Sequence, residues 1–184
     1  MIVLQHNGTI YVAKSCWGFR DVAARNAGIP DVENIPMWHP GKRKNRLIAV
    51  SSVGRVVDVL RYEHIFPSTL DPKHLVLESY ERVYDLVDRF GICHEGNIRA
   101  RIVFAEDDKA YVVYGDGSHI EVENIHTDCY ADDAIMALYD LKGVEDPYTF
   151  FREAYRTVEQ ISRYLMFPVM VMNTKNNKIE VINR

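Results

Sequence analysis

Cysteine is scarce in this chain: Cys16, Cys93 and Cys129 are its three thiols among 184 residues. An odd, widely spaced set argues against a disulfide framework and for a reducing compartment. No apolar run approaches the ~18 residues of a membrane-spanning helix. The front end lacks the basic stretch and apolar core of a secretory signal. Internal repeats, low-complexity tracts and a linker rich in Pro, Gly and Ser are likewise missing. These absences lead us to expect one domain over residues 1–184, soluble and cytoplasmic, or within a particle assembled in the cytoplasm. A strong excess of one charge is missing too: 22 Lys and Arg face 26 Asp and Glu, for a net of -4. That balance speaks against a nucleic-acid binder. The one basic run, Lys42-Arg43-Lys44 with Arg46, reads as a solvated loop.

What is present begins with a hairpin. Two apolar runs, Ile2 to Gln5 and Thr9 to Ala13, flank Asn7-Gly8, the pair that best tolerates the positive φ of a type I′ turn. Leu47 to Val50 has strand length, and Ser51-Ser52-Val53-Gly54 reads as a small-residue turn before a short helix with Val56, Val57, Val59 and Leu60 on one face. A second helix has Asp71 as cap and Pro72 at its first position. Its stripe is Val76, Tyr80, Val83, Val87 and Phe90, ended by Gly91. A three-stranded meander follows, Ile98 to Phe104, Ala110 to Tyr114 and His119 to Val122, turning at Asp107-Asp108 and Gly115-Asp116-Gly117. Then come a helix over Ala131 to Leu141 and another capped by Asp146-Pro147 with Phe151, Tyr155, Val158, Ile161 and Leu165 as its stripe. Val169 to Met172 and Ile179 to Ile182 close the chain as a hairpin around Asn176-Asn177.

Helices come in pairs and strands in neighbouring runs, without β-α-β alternation. Two antiparallel sheets between two helical layers satisfy that order, since every sheet face and helix stripe gains a partner. The fold class is therefore α+β, a four-layer αββα sandwich. Four stretches carry a likeness: residues 1–15 (MIVLQHNGTIYVAKS), residues 45–62 (NRLIAVSSVGRVVDVLRY), residues 101–125 (RIVFAEDDKAYVVYGDGSHIEVENI) and residues 130–143 (YADDAIMALYDLKG). In pattern and order they resemble the proteasome β-subunit family and its bacterial relative HslV, which share the N-terminal nucleophile (Ntn) hydrolase fold.

The resemblance implies a threonine-protease chemistry that can be compared residue by residue. An N-terminal Thr attacks, and its own α-amine, with an ordinary pKa of ~8, is the general base. A Lys and an Asp assist, and a backbone N–H of the small-residue turn holds the oxyanion. Here Met1 stands at the nucleophile's end of the strand and offers no hydroxyl. Lys14 or Ser15 stands where the Asp belongs, and Met37, Trp38 or His39 where the Lys belongs. Ser52 and Gly54 keep the small-residue turn. No catalytic residue is therefore expected, only a vestigial site near Met1, Lys14, Ser15, Ser52 and Gly54. The resemblance implies a pseudoenzyme that self-assembles into a homo-oligomer, with the helices of residues 72–90 and 53–62 as contacts. A bacteriophage particle is one conceivable setting, and a partner ATPase is left undefined. The alternative is a threonine peptidase with Thr9 as nucleophile, released by cutting at Gly8-Thr9.

Other clusters are weaker. Cys93-His94-Glu95 places three ligand types in a row, but neighbours in a regular element do not converge on one ion. His126-Thr127-Asp128-Cys129 reads as a loop before a helix, with Asp128 as a local cap. Cys16 lies too far in to be an N-terminal nucleophile, and Gly115-Asp116-Gly117 lacks the helix and Lys-Ser/Thr of a phosphate loop. We expect no metal and no cofactor.

Overall fold

Asn7 and Gly8 both take positive φ, 48° and 66°, the backbone that a two-residue type I′ turn demands. They join β1 (Ile2–His6) to β2 (Thr9–Ser15), in register from Ile2↔Ala13 to His6↔Thr9. The computed structural model describes residues 1–15, 37–43, 45–52, 57, 61, 65–89, 93–94, 97–98, 100–129, 131–162, 166–176 and 178–184. Cys16, Gly54, Gly91 and most of the expected helix over 53–62 lie outside the described residues.

Two five-stranded antiparallel sheets form the centre. The first runs β10-β1-β2-β11-β12, adding β10 (Ile125–Thr127), β11 (Val169–Asn173) and β12 (Glu180–Ile182) to the opening hairpin. The second runs β3-β4-β7-β8-β9, from β3 (Met37–Trp38), β4 (Arg46–Ser52), β7 (Ala100–Glu106), β8 (Lys109–Val113) and β9 (His119–Glu121). A small ladder pairs β5 (Cys93–His94) with β6 (Asn97–Ile98). The meander turns lie where expected. Asp107 takes a φ of 54° and Gly117 one of 85°, and Tyr114 N–H donates to Ser118 O at 2.8 Å. Two expectations change. Ser51 and Ser52 continue β4, paired with Arg101 and Ala100, because the β7 ladder runs on past the apolar run. Residues 125–127, too short and polar to read as a strand, become an edge of the first sheet through β1.

Alternation along the strands sorts side chains onto faces. Val3, Ile10, Val12, Met170 and Met172 of the first sheet meet Leu47, Ala49, Val103, Ala105 and Val112 of the second in the central core. The outer face of the first sheet, with Ile2, Leu4 and Ala13, is covered by α2 (Asp132–Lys142) and α3 (Pro147–Ser162). Here Tyr155 Oη donates to Ala13 O at 2.8 Å inside the core. The outer face of the second sheet, with Ile48, Ile102 and Phe104, is covered by α1. This rod is α-helical at Pro72–His74, π-helical at Leu75–Tyr80 and α-helical again at Glu81–Arg89. The result is the expected four-layer αββα sandwich. Among the described residues no helix is long and apolar enough to cross a membrane.

Helix ends follow local chemistry. Asp71 accepts from Lys73 N–H at 2.9 Å. Asp146 accepts from Thr149 N–H at 2.8 Å and from its hydroxyl at 2.7 Å. Gly143, at φ 64°, ends α2 with an N–H to Tyr139 O. The α1 stripe departs from its expected register. Leu75, Ser79 and Val83 are the buried positions, with Val76 and Tyr80 half-covered, because the wide π turn inserts an extra residue and rotates the face.

Gly115 is a junction of these layers. Its carbonyl accepts from Ile98 N–H and from Tyr80 Oη, both at 2.9 Å. A Cβ there would lie 1.9 Å from Ile98 O and 3.0 Å from Ile98 C, both backbone atoms. Gly115→Ala should therefore destabilise the protein by about 1–3 kcal/mol or more, as overpacking against an unyielding partner does. A denaturant melt with an unchanged m-value would check this.

Candidate functional site

The central core turns polar at one end. Counting on by two along each strand extends Ile10 and Val12 to Lys14, Leu47 and Ala49 to Ser51, Val103 back to Arg101 and Val112 to Tyr114. Met1 stands beside Lys14, one residue beyond the Ile2↔Ala13 pair. The β1–β10 ladder also runs one step further, since Asp128 N–H donates to Met1 O at 3.0 Å. One mouth between the two sheets thus gathers Met1, Lys14, Ser51, Arg101, Tyr114 and Asp128.

The α-amine of Met1 forms an ion pair with Asp128, and both groups are essentially excluded from solvent at 0% and 1% side-chain exposure. The same amine donates to Cys129 Sγ at 3.4 Å. Burial opposes its charge, but Cys129 and Asp128 outweigh burial and raise its pKa above 8.0. For the Asp128 carboxyl, burial pushes upward. The Met1 ammonium, a hydrogen bond from Ser51 and Arg101 together bring it below its ordinary 3.8. Arg101 Nη1 stands 3.6 Å from Asp128 Oδ2. Lys14 Nζ crosses from the first sheet to the second and donates to Val50 O at 2.7 Å. Burial lowers its pKa from 10.5 to about 8, with Asp128 opposing the drop. The half-buried His126 ring packs edge-on against Tyr114, at 6.4 Å between centroids, and burial lowers its pKa. A pocket of about 260 Å³ opens here, lined by Ser51, Ala100, Arg101, Tyr114 and Gly115.

The residues singled out from the sequence divide between this mouth and other places. Met1 and Lys14 are in it. Ser15, one step along from Lys14, belongs to the opposite face and donates to Met166 O at 2.7 Å. Ser52 lies in β4 opposite Ala100. Met37 is buried in the central core, Trp38 carries the Arg61 guanidinium 5.1 Å from its ring, and His39 Nδ1 lies 2.6 Å from Arg46 O. None of these three joins the mouth. Thr9 is buried at the turn end of β2, on the same face as Ala13. Lys14 lies five residue steps further along the strand, roughly 17 Å at ~3.4 Å per residue. Cys93 and His94 sit in β5, and Glu95 lies outside the described residues.

Asp128 corrects an expectation. It does not cap α2, whose first turn follows Ala131 without a side-chain cap. The ladder to Met1 carries its carboxylate to the amine instead. Sequence reading also missed Arg101, Ser51 and Tyr114 as neighbours of Met1. Their signal was present as alternation that continues past the apolar run into polar residues. A lysine and an aspartate thus do surround the N-terminal amine, drawn from β2 and from the loop after β10. Chemically, the mouth holds buried charges in fixed positions. Met1 itself contributes an amine and a hydrocarbon thioether, with no oxygen or thiolate to attack a carbonyl.

Removing the carboxylate would leave a buried ammonium unpaired, so Asp128→Asn should cost about 3–5 kcal/mol. The pH profile follows from the three shifts. Asp128, depressed when folded, contributes stability above its unfolded value of 3.8 and loses it as pH falls through the folded value. The Met1 amine, raised when folded, contributes below 8.0 and loses that contribution as pH climbs through its folded value. Lys14 works in the opposite sense: between about 8 and 10.5 the unfolded chain holds the extra proton, so stability rises with pH. Lys14→Met should therefore steepen the alkaline loss, and Asp128→Asn should flatten the acid limb. Denaturant melts from pH 3 to 10.5 would read both.

No protein-family model matches the sequence, and no curated protein matches it. Solved structures do. BPH from Thiobacillus denitrificans, in complex with epoxomicin, superposes with a TM-score of 0.71 at 11% identity, over 96% of this chain and 98% of that one. Anbu, an ancestral β-subunit from Yersinia bercovieri, gives 0.64 at 10% identity over 100% and 86%. HslV from Trypanosoma brucei gives 0.59 at 12% identity over 94% and 97%. The sandwich, its two five-stranded sheets and these superpositions together give this chain the fold of the proteasome-like Ntn hydrolases.

Proposed function

We propose that this protein is a proteasome-like subunit without threonine-protease machinery, acting as a self-assembling structural or scaffold component. One observation carries the reading. The position at the head of β1 is held by Met1, whose side chain is buried in the central core and whose amine is tied to Asp128. A thioether is no nucleophile, and an amine held as a buried ammonium is a poor general base. Self-assembly is supported by the fold likeness. We place the contact on α1, together with residues 53–62.

The second reading is an active threonine peptidase after autoprocessing at Gly8-Thr9. Its support is the Gly-Thr pair itself, the junction at which active members of the resembled family cut themselves. Against it, cutting there would release β1, the strand that pairs with both β2 and β10. The new amine would emerge at the end of β2 remote from Lys14 and Asp128.

Intact-mass measurement, peptide turnover, and incubation with epoxomicin, the ligand of the Thiobacillus protein, would test both readings. We expect a full-length mass, no turnover and no covalent adduct. Loss of the first eight residues, with labelling abolished by Thr9→Ala, would establish the peptidase instead. Native mass at micromolar concentration should show an oligomer, and a monomer alone would overturn the scaffold role.

A further inference from the structure

We propose that the mouth beside Met1 binds an organic carboxylate, held by the Arg101 guanidinium with the Lys14 ammonium behind it. The proposal rests on the preceding reading in one respect only: the bound molecule is held and not cut.

The motivation is a charge imbalance beside a small, open pocket. Among the described residues, three cationic groups, the Met1 ammonium, Lys14 and Arg101, converge on a single carboxylate, Asp128. His126, its pKa lowered by burial, stands within electrostatic reach of Arg101, Asp128 and also Asp132. Asp128 accepts from the Met1 amine through Oδ1 and from Ser51, while its buried Oδ2 has no hydrogen-bond partner among the described residues. The cluster is thus left with an excess of positive charge where burial makes such charge costly. Lys14 has three N–H donors and spends one on Val50 O among the described residues. Arg101 is half-exposed, stands too far from Asp128 Oδ2 at 3.6 Å for a hydrogen bond, and lies 5.7 Å from the centre of the Tyr114 ring. Its planar fork therefore has donors to offer at the rim of the pocket.

Three features select the ligand class. A guanidinium fork matches a planar carboxylate with two parallel hydrogen bonds. The pocket, about 260 Å³, is smaller than the ~300–1,000 Å³ of drug-sized sites, so it suits a single terminal group. The Tyr114 ring, Ala100 and Gly115 complete the lining. They offer apolar surface that an alkyl or amide group attached to the carboxylate would cover, and that a bare inorganic anion would leave wet. Both a peptide chain end and a small free acid carry this chemistry.

Calorimetric titration of the full chain with N-acetyl-alanine, N-acetyl-alanine amide, acetate and inorganic phosphate tests the proposal. N-acetyl-alanine should bind saturably, and the neutral amide at least about tenfold more weakly, since the charge-assisted bonds are lost. Arg101→Gln, a change at a half-exposed position that melting should show still folded, should weaken the acid by a similar factor. Lys14→Met should weaken it too. Acetate binding as well as N-acetyl-alanine would assign the site to free acids; weaker acetate would assign it to peptide ends. Equal binding of acid and amide, an unchanged affinity in folded Arg101→Gln, or phosphate binding as well as the acid would each overturn the proposal. Mass analysis of the titrated mixture keeps the two ideas separate: cleavage of the probe would sink the non-proteolytic reading while leaving carboxylate binding standing.

Discussion

Strand β1 is buried on both faces and hydrogen-bonded along both edges. Ile2 and Leu4 enter the core under α2 and α3, while Met1 and Val3 enter the core between the sheets. β2 flanks one edge and β10 the other. With a side-chain period of two, a slip of one residue would send each set to the wrong face. That register places the α-amine beside Asp128, and everything described at the mouth follows from it. The ion pair is thus a consequence of strand packing as much as a cause of it.

Much of the architecture was legible because it was written in local chemistry. Asn7-Gly8, Asp71-Pro72, Asp146-Pro147 and Gly143 are short-range signals whose backbone demands do not depend on distant partners, and each is met in the structure. The elements that escaped depend on partners. β10 is three residues long and exists because β1 offers it an edge. The π turn in α1 shifts the buried face by a residue, which no periodicity of 3.6 can foresee. Ser51 and Ser52 looked like a turn by composition, yet the ladder to β7 holds them extended.

The mouth was harder to see for a related reason. Its members come from β2, β4, β7, the meander and the segment after β10, so no window of sequence contains it. Lys14 was singled out only as standing where the resemblance puts an Asp, and the structure instead sets its amine across the two sheets on Val50 O. Asp128 read as a local cap in a loop before a helix, and only the ladder to Met1 redirects it. The superposed folds share the scaffold with this chain at 10–12% identity.

The outermost strands of both sheets are brief. As described, β10, β12 and β9 span three residues each and β3 spans two. Such stubs present few unsatisfied main-chain groups, so they make poor templates for another chain to zip onto. Growth into continuous cross-molecular sheets is thereby discouraged from the outset.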